Sequence, residues 1–367
     1  MRQNTDDIVV IYGDRPVEMV RFLLDCLGIE KDLPTSGTIG IKPNLLMAKP
    51  SDSGATTDPE IVAGVIEYLY GLGRRDVIIL ESSWVGDTTR KAYRVCGYKE
   101  LAGKYGVPLI DLKKDTTRKI RSGNMNVEVC ERALGLAYLI NIPVLKAHCQ
   151  TRLTCALKNL KGCIPDVEKR RFHTLGIHEP VARLNTVIKT DLVIVDGIIG
   201  DLTFEEGGTP VRMNRLIAGR DPVLIDAYAA GLIGYSPDDI DYIAMAEEMG
   251  VGTADTTAAQ ILELNQPDDG VASIHASRAV EDLMWHVNED QACSACFGSL
   301  VHALKRLSDM GALTGLKGRI SIGQGFAGKT GKGIGIGTCA EGLSHSLRGC
   351  PPTARRIVEY LMKYHSH

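Results

Sequence analysis

Short apolar runs alternate with stretches of helical period along most of the chain. Residues 8–12 (IVVIY) read as a strand. Val17 to Ile29 read as an amphipathic helix with Val20, Leu23, Leu24 and Leu27 on one stripe. The run TIGIKPNLL is a buried strand that leads into a turn-rich loop, MAKPSDSGATTDPE. Thr57 or Asp58 can cap the helix expected at 59–72, with Pro59 suited to its first turn. A strand at DVIILESS, helices at 88–95 and 98–105, and a strand at GVPLIDL follow. Weak alternation over 115–130 suggests a β excursion, and AYLINIPVL at 137–145 is the next buried strand. A helix is expected from about Thr151, another at 180–189, then a strand at DLVIVDG. GIIGDLTFEEGGTPVRMN reads as a loop with a Gly207–Gly208 turn, and RLIAG as a short strand. Helices at Pro222–Leu232 and Pro237–Met249 close this series.

Strands that alternate with helices over 240 residues predict an α/β fold, a mostly parallel, helix-covered open sheet. The pattern then changes. Residues 257–285 read as a connection. CSACFGSLVHALKRL reads as a helix with Phe297, Leu300, Val301, Leu304 and Leu307 inward. RISIG and GIGIG are short strands, and a last helix runs from Pro352 to about Tyr364. The predicted organisation is an α/β domain at 1–270 and a smaller cysteine-bearing α/β module at 271–367.

Composition narrows the function. A net charge of −3 gives no basic field for nucleic acid, and 5 % aromatic residues offer few stacking platforms. No run of eighteen apolar residues predicts a membrane span, and the N-terminus lacks a signal-peptide pattern, so a cytoplasmic setting is expected. Ten cysteines in that setting suggest thiols or metal ligands rather than a disulfide scaffold.

Two groups of residues carry chemistry. The first lies in VLKAHCQTRLTCALKNLKGCIPD. On a helix from Thr151, Leu153, Leu157 and Leu160 would face the core, and Thr154, Lys158 and Lys161 would form an adjacent stripe. Lys146, His148 and Asn159 crowd the same stretch, and Gly162 permits close backbone approach. Lys42 and Asn44, Glu81, and Asp196 fall at strand carboxyl ends, where open α/β sheets bind ligands. The expectation is a lysine-rich cleft for a small anionic molecule, with His148 as acid or base and Glu81 or Asp196 orienting it or the substrate. Crowded lysines lower one another's pKa, which makes Lys158 a candidate base or nucleophile. His173 and His178 read as surface or loop residues.

The second group is Cys293, Cys296, Cys339 and Cys350, with C-x2-C at a helix start and then 42 and 10 intervening residues. Pro351 follows the last, a frequent ending of cluster-binding runs. One [4Fe-4S] cluster is the expected cofactor. Zinc is the alternative, disfavoured because its sites commonly pair two short knuckles. Cys26 reads as a small core residue in its helix. The run Gly323 to Thr330 satisfies the phosphate-loop pattern, but GKGIGIG follows it and is a poor helix, so the match is discounted.

The segments IGIKPNLL, GATTDPEIVAGVIEYL, DVIILESS, INIPVLKAH, ALKNLKG, DLVIVDG, GGTPV and DPVLIDAYAA resemble, in order from about 8 to 252, the domain-of-unknown-function family 362. The tail CSAC…GIGTC…GCPP looks like a cluster-binding extension, and it departs from the two sets of four cysteines that many members carry. The resemblance implies an iron–sulfur association without naming a reaction. Its recurring polar positions fall here on Lys42, Asn44, Thr57, Asp58, Glu81, Lys146, His148, Lys158, Asn159, Lys161 and Asp196. The leading reading is an iron–sulfur redox enzyme. Two other classes stay open: an electron-transfer or cluster-handling protein that docks a redox partner, and a metal-dependent hydrolase or lyase with a structural metal at the cysteines.

Overall fold

The apolar run at the start forms β1 (Asp7–Tyr12), and α1 (Pro16–Leu27) follows with Val20, Leu23, Leu24 and Leu27 buried. Gly28, at φ 62°, ends that helix in the left-handed conformation. β2 (Ile39–Pro43) is buried along its length. α2 (Pro59–Gly71) begins where Asp58 accepts the Glu60 amide at 2.9 Å. Next come β3 (Val77–Glu81), α3 (Thr89–Val95), α4 (Tyr98–Tyr105) and β4 (Leu109–Asp111). β5 (Thr117–Ser122) and β6 (Met125–Cys130) pair as a separate antiparallel hairpin. α5 (Glu131–Leu134) leads to β7 (Tyr138–Ile142). This computed structural model describes residues 7–203, 209–267, 279–316 and 318–365. The expected Gly207–Gly208 turn lies outside them.

The stretch after β7 departs from expectation. No long helix starts at Thr151. β8 (Lys146–His148) and β9 (Arg152–Thr154) form a hairpin, with Arg152 at a positive φ of 61°. α6 (Ala156–Asn159) is a single turn, continued by a 3₁₀ turn over Leu160–Cys163. The reason is distant in sequence. Asp226 accepts the amides of Ala156 at 2.6 Å and Leu157 at 3.2 Å, so a carboxylate from another helix starts α6 where it does.

α7 (Asp166–Thr174) contains His173 and α8 (His178–Val187) opens on His178, so both residues expected on the surface or in a loop lie on helices and are half-buried. β10 (Leu192–Asp201) and β11 (Pro210–Gly219) are longer than the strands expected there, β11 by a factor of two, because they pair with each other across a bulge between Gly197 and Ile199. The glycines that suggested a loop serve close packing instead. A Cβ on Gly200 would lie 2.0 Å from the Leu145 carbonyl oxygen. α9 (Pro222–Leu232) matches its prediction. The helix expected from Pro237 divides into a 3₁₀ turn, Pro237–Asp239, and α10 (Asp241–Glu248). β12 (Gln260–Glu263) is an exposed edge strand in what had read as a connection. It lacks alternation because no layer covers it.

The large sheet has the order β12-β1-β11-β10-β7-β2-β3-β4. Its pairings are parallel except the two that involve β11. From β2 the chain builds β3 and β4 on one side, then returns to place β7 and β10 on the other. The gap between the carboxyl ends of β2 and β7 is therefore a topological switch point.

The chain falls into two compact units, Met1–Arg170 with His178–Ala276, and Arg171–Ile177 with Ser277–His367. The second holds α11 (Ala279–Met284), β13 (Val287–Glu289), α12 (Ser294–Asp309), β14 (Ile320–Ile322), β15 (Gly331–Ile336), β16 (Leu343–Leu347) and α13 (Ala354–His365). Its four strands form a parallel sheet in chain order. The phosphate-loop pattern runs into β15 rather than a helix, so it lacks the helix N-terminus that the mechanism needs. No helix among the described residues is long and apolar enough to cross a membrane.

Asp226→Ala orphans two buried amides and is expected to cost roughly 3 kcal/mol. Urea denaturation measures this, and an unchanged midpoint would refute the capping role.

Candidate functional site

Lys42, at the carboxyl end of β2, has no exposed surface. A buried ammonium must find a partner for each donor. Its Nζ donates to Glu81 Oε2 at 2.8 Å, the Pro43 carbonyl at 2.8 Å and Asn159 Oδ1 at 3.2 Å. Glu81 ends the neighbouring β3, and it also accepts the amides of Leu45 and Ser82. Asn159, on α6, reaches back across the switch point. Its Oδ1 accepts Asn44 Nδ2 at 2.9 Å as well as Lys42, and its Nδ2 donates to Asn141 Oδ1 at 2.7 Å and to the Lys42 carbonyl. Asn141 lies directly across from Lys42 in the β2–β7 register.

The network extends on both sides. Lys146 Nζ donates to Asn44 Oδ1 at 3.0 Å and the Ala55 carbonyl at 2.6 Å. The Asn44 amide donates to Thr57 Oγ1, which donates to the Ile142 carbonyl. Asp58 donates its amide to Asp196 Oδ2 at 2.9 Å. Burial pushes the Asp196 carboxyl up to about 7, against the pull of the Asp58 and Ile198 amides, and the Asp58 charge adds to the rise. Gly162 covers the Lys42–Glu81 pair. A Cβ there would stand 1.9 Å from Glu81 Oε1 and 2.6 Å from Lys42 Nζ, so the close approach requires glycine.

The expected stripe of Thr154, Lys158 and Lys161 survives in part although the helix does not. Thr154 is on β9, and Lys158 Nζ donates to its hydroxyl at 2.9 Å. Both are buried, and Lys161 is half-buried. His148, on β8, accepts the amides of Gln150 and Thr151 at Nδ1, so its neutral ring carries the proton on Nε2. Glu81 serves Lys42 and backbone amides rather than orienting His148.

Several residues at the site were not anticipated. Lys169 donates to Ser82 Oγ and to the carbonyls of Ser82 and Ser83 at the end of β3. Burial pushes its ammonium down to about 8, opposed by Glu81 and Asp166. No sequence signal marks it. Asn141 and Asp226 did carry one, as lone polar residues in apolar segments that must find buried partners. His178 stacks on Tyr242 and lies near Lys158 and Arg152, and its Nδ1 is buried with no partner among the described residues. Burial first, then those two cations, holds its ring below the ordinary histidine value.

The second unit brings the four expected cysteines into one neighbourhood. Cys293 caps α12 and Cys296 follows in its first turn. The thiol of Cys296 hydrogen-bonds to Cys293, which pushes Cys293 down to about 6 and Cys296 up. Cys339 and Cys350 also bear electrostatically on Cys296. The Gly337 amide donates to the Leu347 carbonyl and the Thr338 amide to that of Gly349, which fastens the Cys339 turn to the Cys350 turn. Gly337 places bare backbone near Cys296 Sγ, which a Cβ would approach to 3.5 Å.

No group of three or more His, Cys, Asp or Glu among the described residues is drawn together tightly enough for one metal ion. Four thiolates around zinc would each stand about 2.3 Å from it. Of the other cysteines, Cys26 is exposed rather than in the core, because it lies off the buried stripe of α1. Cys155 lies at Asp226, and Cys163 at Lys42, Glu81 and Lys169, so these two occupy different surroundings.

A family model described as a domain of unknown function, DUF362, matches residues 39–231. That span contains the whole Lys42–Asp196 network and Asp226, and it excludes the four cysteines. A thylakoid-associated protein of Synechocystis sp. is 26 % identical over 254 residues, which cover 66 % of this chain and 76 % of that protein.

The folded-state value of about 7 at Asp196 exceeds the ordinary carboxylate value. Between pH about 4 and 7 the native state thus holds a proton that the unfolded chain has released. This contribution to stability is full below that window and lost as pH rises through it. Urea midpoints are expected to fall from pH 5 to pH 8, and less steeply in Asp196→Asn. Identical slopes would contradict the assignment.

Proposed function

This chain belongs to the DUF362 family, and from the geometry of its two sites we propose that it is an iron–sulfur redox protein that binds a small anionic compound. The observation that carries the reading is the gathering of Cys293, Cys339 and Cys350 around Cys296. These four would hold one [4Fe-4S] cluster, and the group would supply single-electron transfer when bound. Bare backbone at Gly337 suits N–H approach to cluster sulfurs.

In the first unit, Lys158, Lys161 and Thr154 hold the anion beside the switch point. His148 has Nδ1 committed to two amides, so proton exchange with a ligand falls to Nε2. Asp196, with its value near neutrality, is suited to accept a proton. Glu81 is a positioning residue that holds Lys42. Asn44, Thr57, Asp58, Lys146 and Asn159 keep the cleft in shape.

One observation favours a second reading, an electron-transfer or cluster-handling protein that docks a redox partner. Lys42, Asn44 and Asn159 spend their donors on one another, on Glu81 and Asn141, and on the backbone, which a purely structural network would also do.

Protein purified without oxygen is expected to contain iron and acid-labile sulfide, with both lost in Cys339→Ser. Zinc in place of iron, or neither iron nor sulfide, would sink the cluster. Calorimetry against small anions that carry no phosphate group separates the two readings. Lys158→Ala is expected to abolish binding while the iron content stays intact. No binding by the unaltered chain would favour the carrier.

A further inference from the structure

The loop after β3 leads into a cationic groove that the proposed function does not use. Thr88, Arg90, Lys91, Arg94 and Lys99, from α3 and the start of α4, line a cavity of about 290 Å³. All five residues are exposed. Lys91 pairs with Asp87 at 3.8 Å. Arg90, Arg94 and Lys99 form no ion pair among the described residues.

This arrangement works against the local structure. Arg90 and Arg94 are four residues apart on α3, where like charges repel. Arg90 and Lys91 fall in its first turn, where unpaired amides already make the potential positive. The Thr88 hydroxyl makes no capping bond to offset this. The chain carries net negative charge, so the cluster does not follow from a basic composition. Residues that break local rules together, around a cavity, mark a ligand site.

We propose that the groove binds the di- or polyphosphate group of a small molecule. Four cations line it, and phosphate oxygens supply the counter-charge for the three, Arg90, Arg94 and Lys99, that form no ion pair among the described residues. No aromatic or aliphatic side chain lines it, so it has no wall to stack a base or to seat an acyl chain. Its volume falls at the lower edge of small-molecule sites, which suits a compact anion. The neighbouring Thr88 hydroxyl adds a neutral hydrogen bond.

Inorganic pyrophosphate is the probe, titrated into the full chain by calorimetry at low salt. Saturable binding is expected, weakened by raised salt as for exposed charges. The double variant Arg90→Glu/Arg94→Glu is expected to bind about tenfold more weakly or worse, because it reverses two of the four charges. Its circular dichroism and thermal midpoint should match the unaltered chain, since both side chains are exposed. Lys158→Ala should retain the site, which separates this groove from the switch-point cleft. The proposal is overturned if pyrophosphate does not bind, if the charge reversals leave its affinity unchanged, or if Lys158→Ala alone removes binding. It is also overturned if the chain binds vesicles containing anionic lipid but not pyrophosphate.

Discussion

The buried ion pair between Lys42 and Glu81 is the constraint on which the switch-point network rests. Two charges removed from water are unfavourable unless every donor and acceptor is matched, and losing one partner of such a pair costs roughly 3–5 kcal/mol. Here the match draws on β2, β3, the loop after β2 and α6 at once. The carboxyl ends of two central strands are thereby locked to the turn that carries Lys158 and Asn159. Gly162 makes the closure possible by keeping its backbone near the pair with no side chain between.

A second buried carboxylate sets the outer half of the site. Asp226 reaches from α9 to start α6, and it leaves Thr154 on a strand and Lys158 on the first turn of a helix. Their contact at 2.9 Å is thus a strand-to-helix contact, although an i,i+4 spacing on one helix would also have brought them together. The i,i+4 spacing thus gave the same Lys158–Thr154 contact without the long helix. Lys169 ties α7 to the end of β3.

The four cysteines follow a different logic. Their unit is small, and its short parallel strands are joined by glycine-rich turns. Backbone hydrogen bonds between the turns at Gly337–Thr338 and Leu347–Gly349 bring together thiols that are far apart in sequence. Burial and the mutual hydrogen bond split the Cys293 and Cys296 thiols, one favouring thiolate and the other thiol.

Periodicity alone was enough for the layered α/β class, most of the strands and helices before residue 200, and the strand-end positions of Lys42 and Glu81; Asp196, expected at a strand end, lies in the middle of β10, which runs on to Asp201 through its pairing with β11. Those features depend on burial of apolar faces, which local sequence encodes directly. The C-x2-C pair at a helix start was equally legible, since its spacing is local. Sequence could not show that β10 and β11 extend through glycine-rich segments, because only cross-strand pairing makes those residues strand. It could not show α6 beginning at Ala156, because the capping carboxylate is seventy residues away, at Asp226. Nor could it reveal Lys169 against Ser82, or the packing that forces glycine at 200, although the close approach at Gly162 was legible without its partners Lys42 and Glu81. The tertiary structure decided these because each depends on a buried polar group or a close backbone approach. The partners of such groups are chosen by the fold and not by neighbours along the chain.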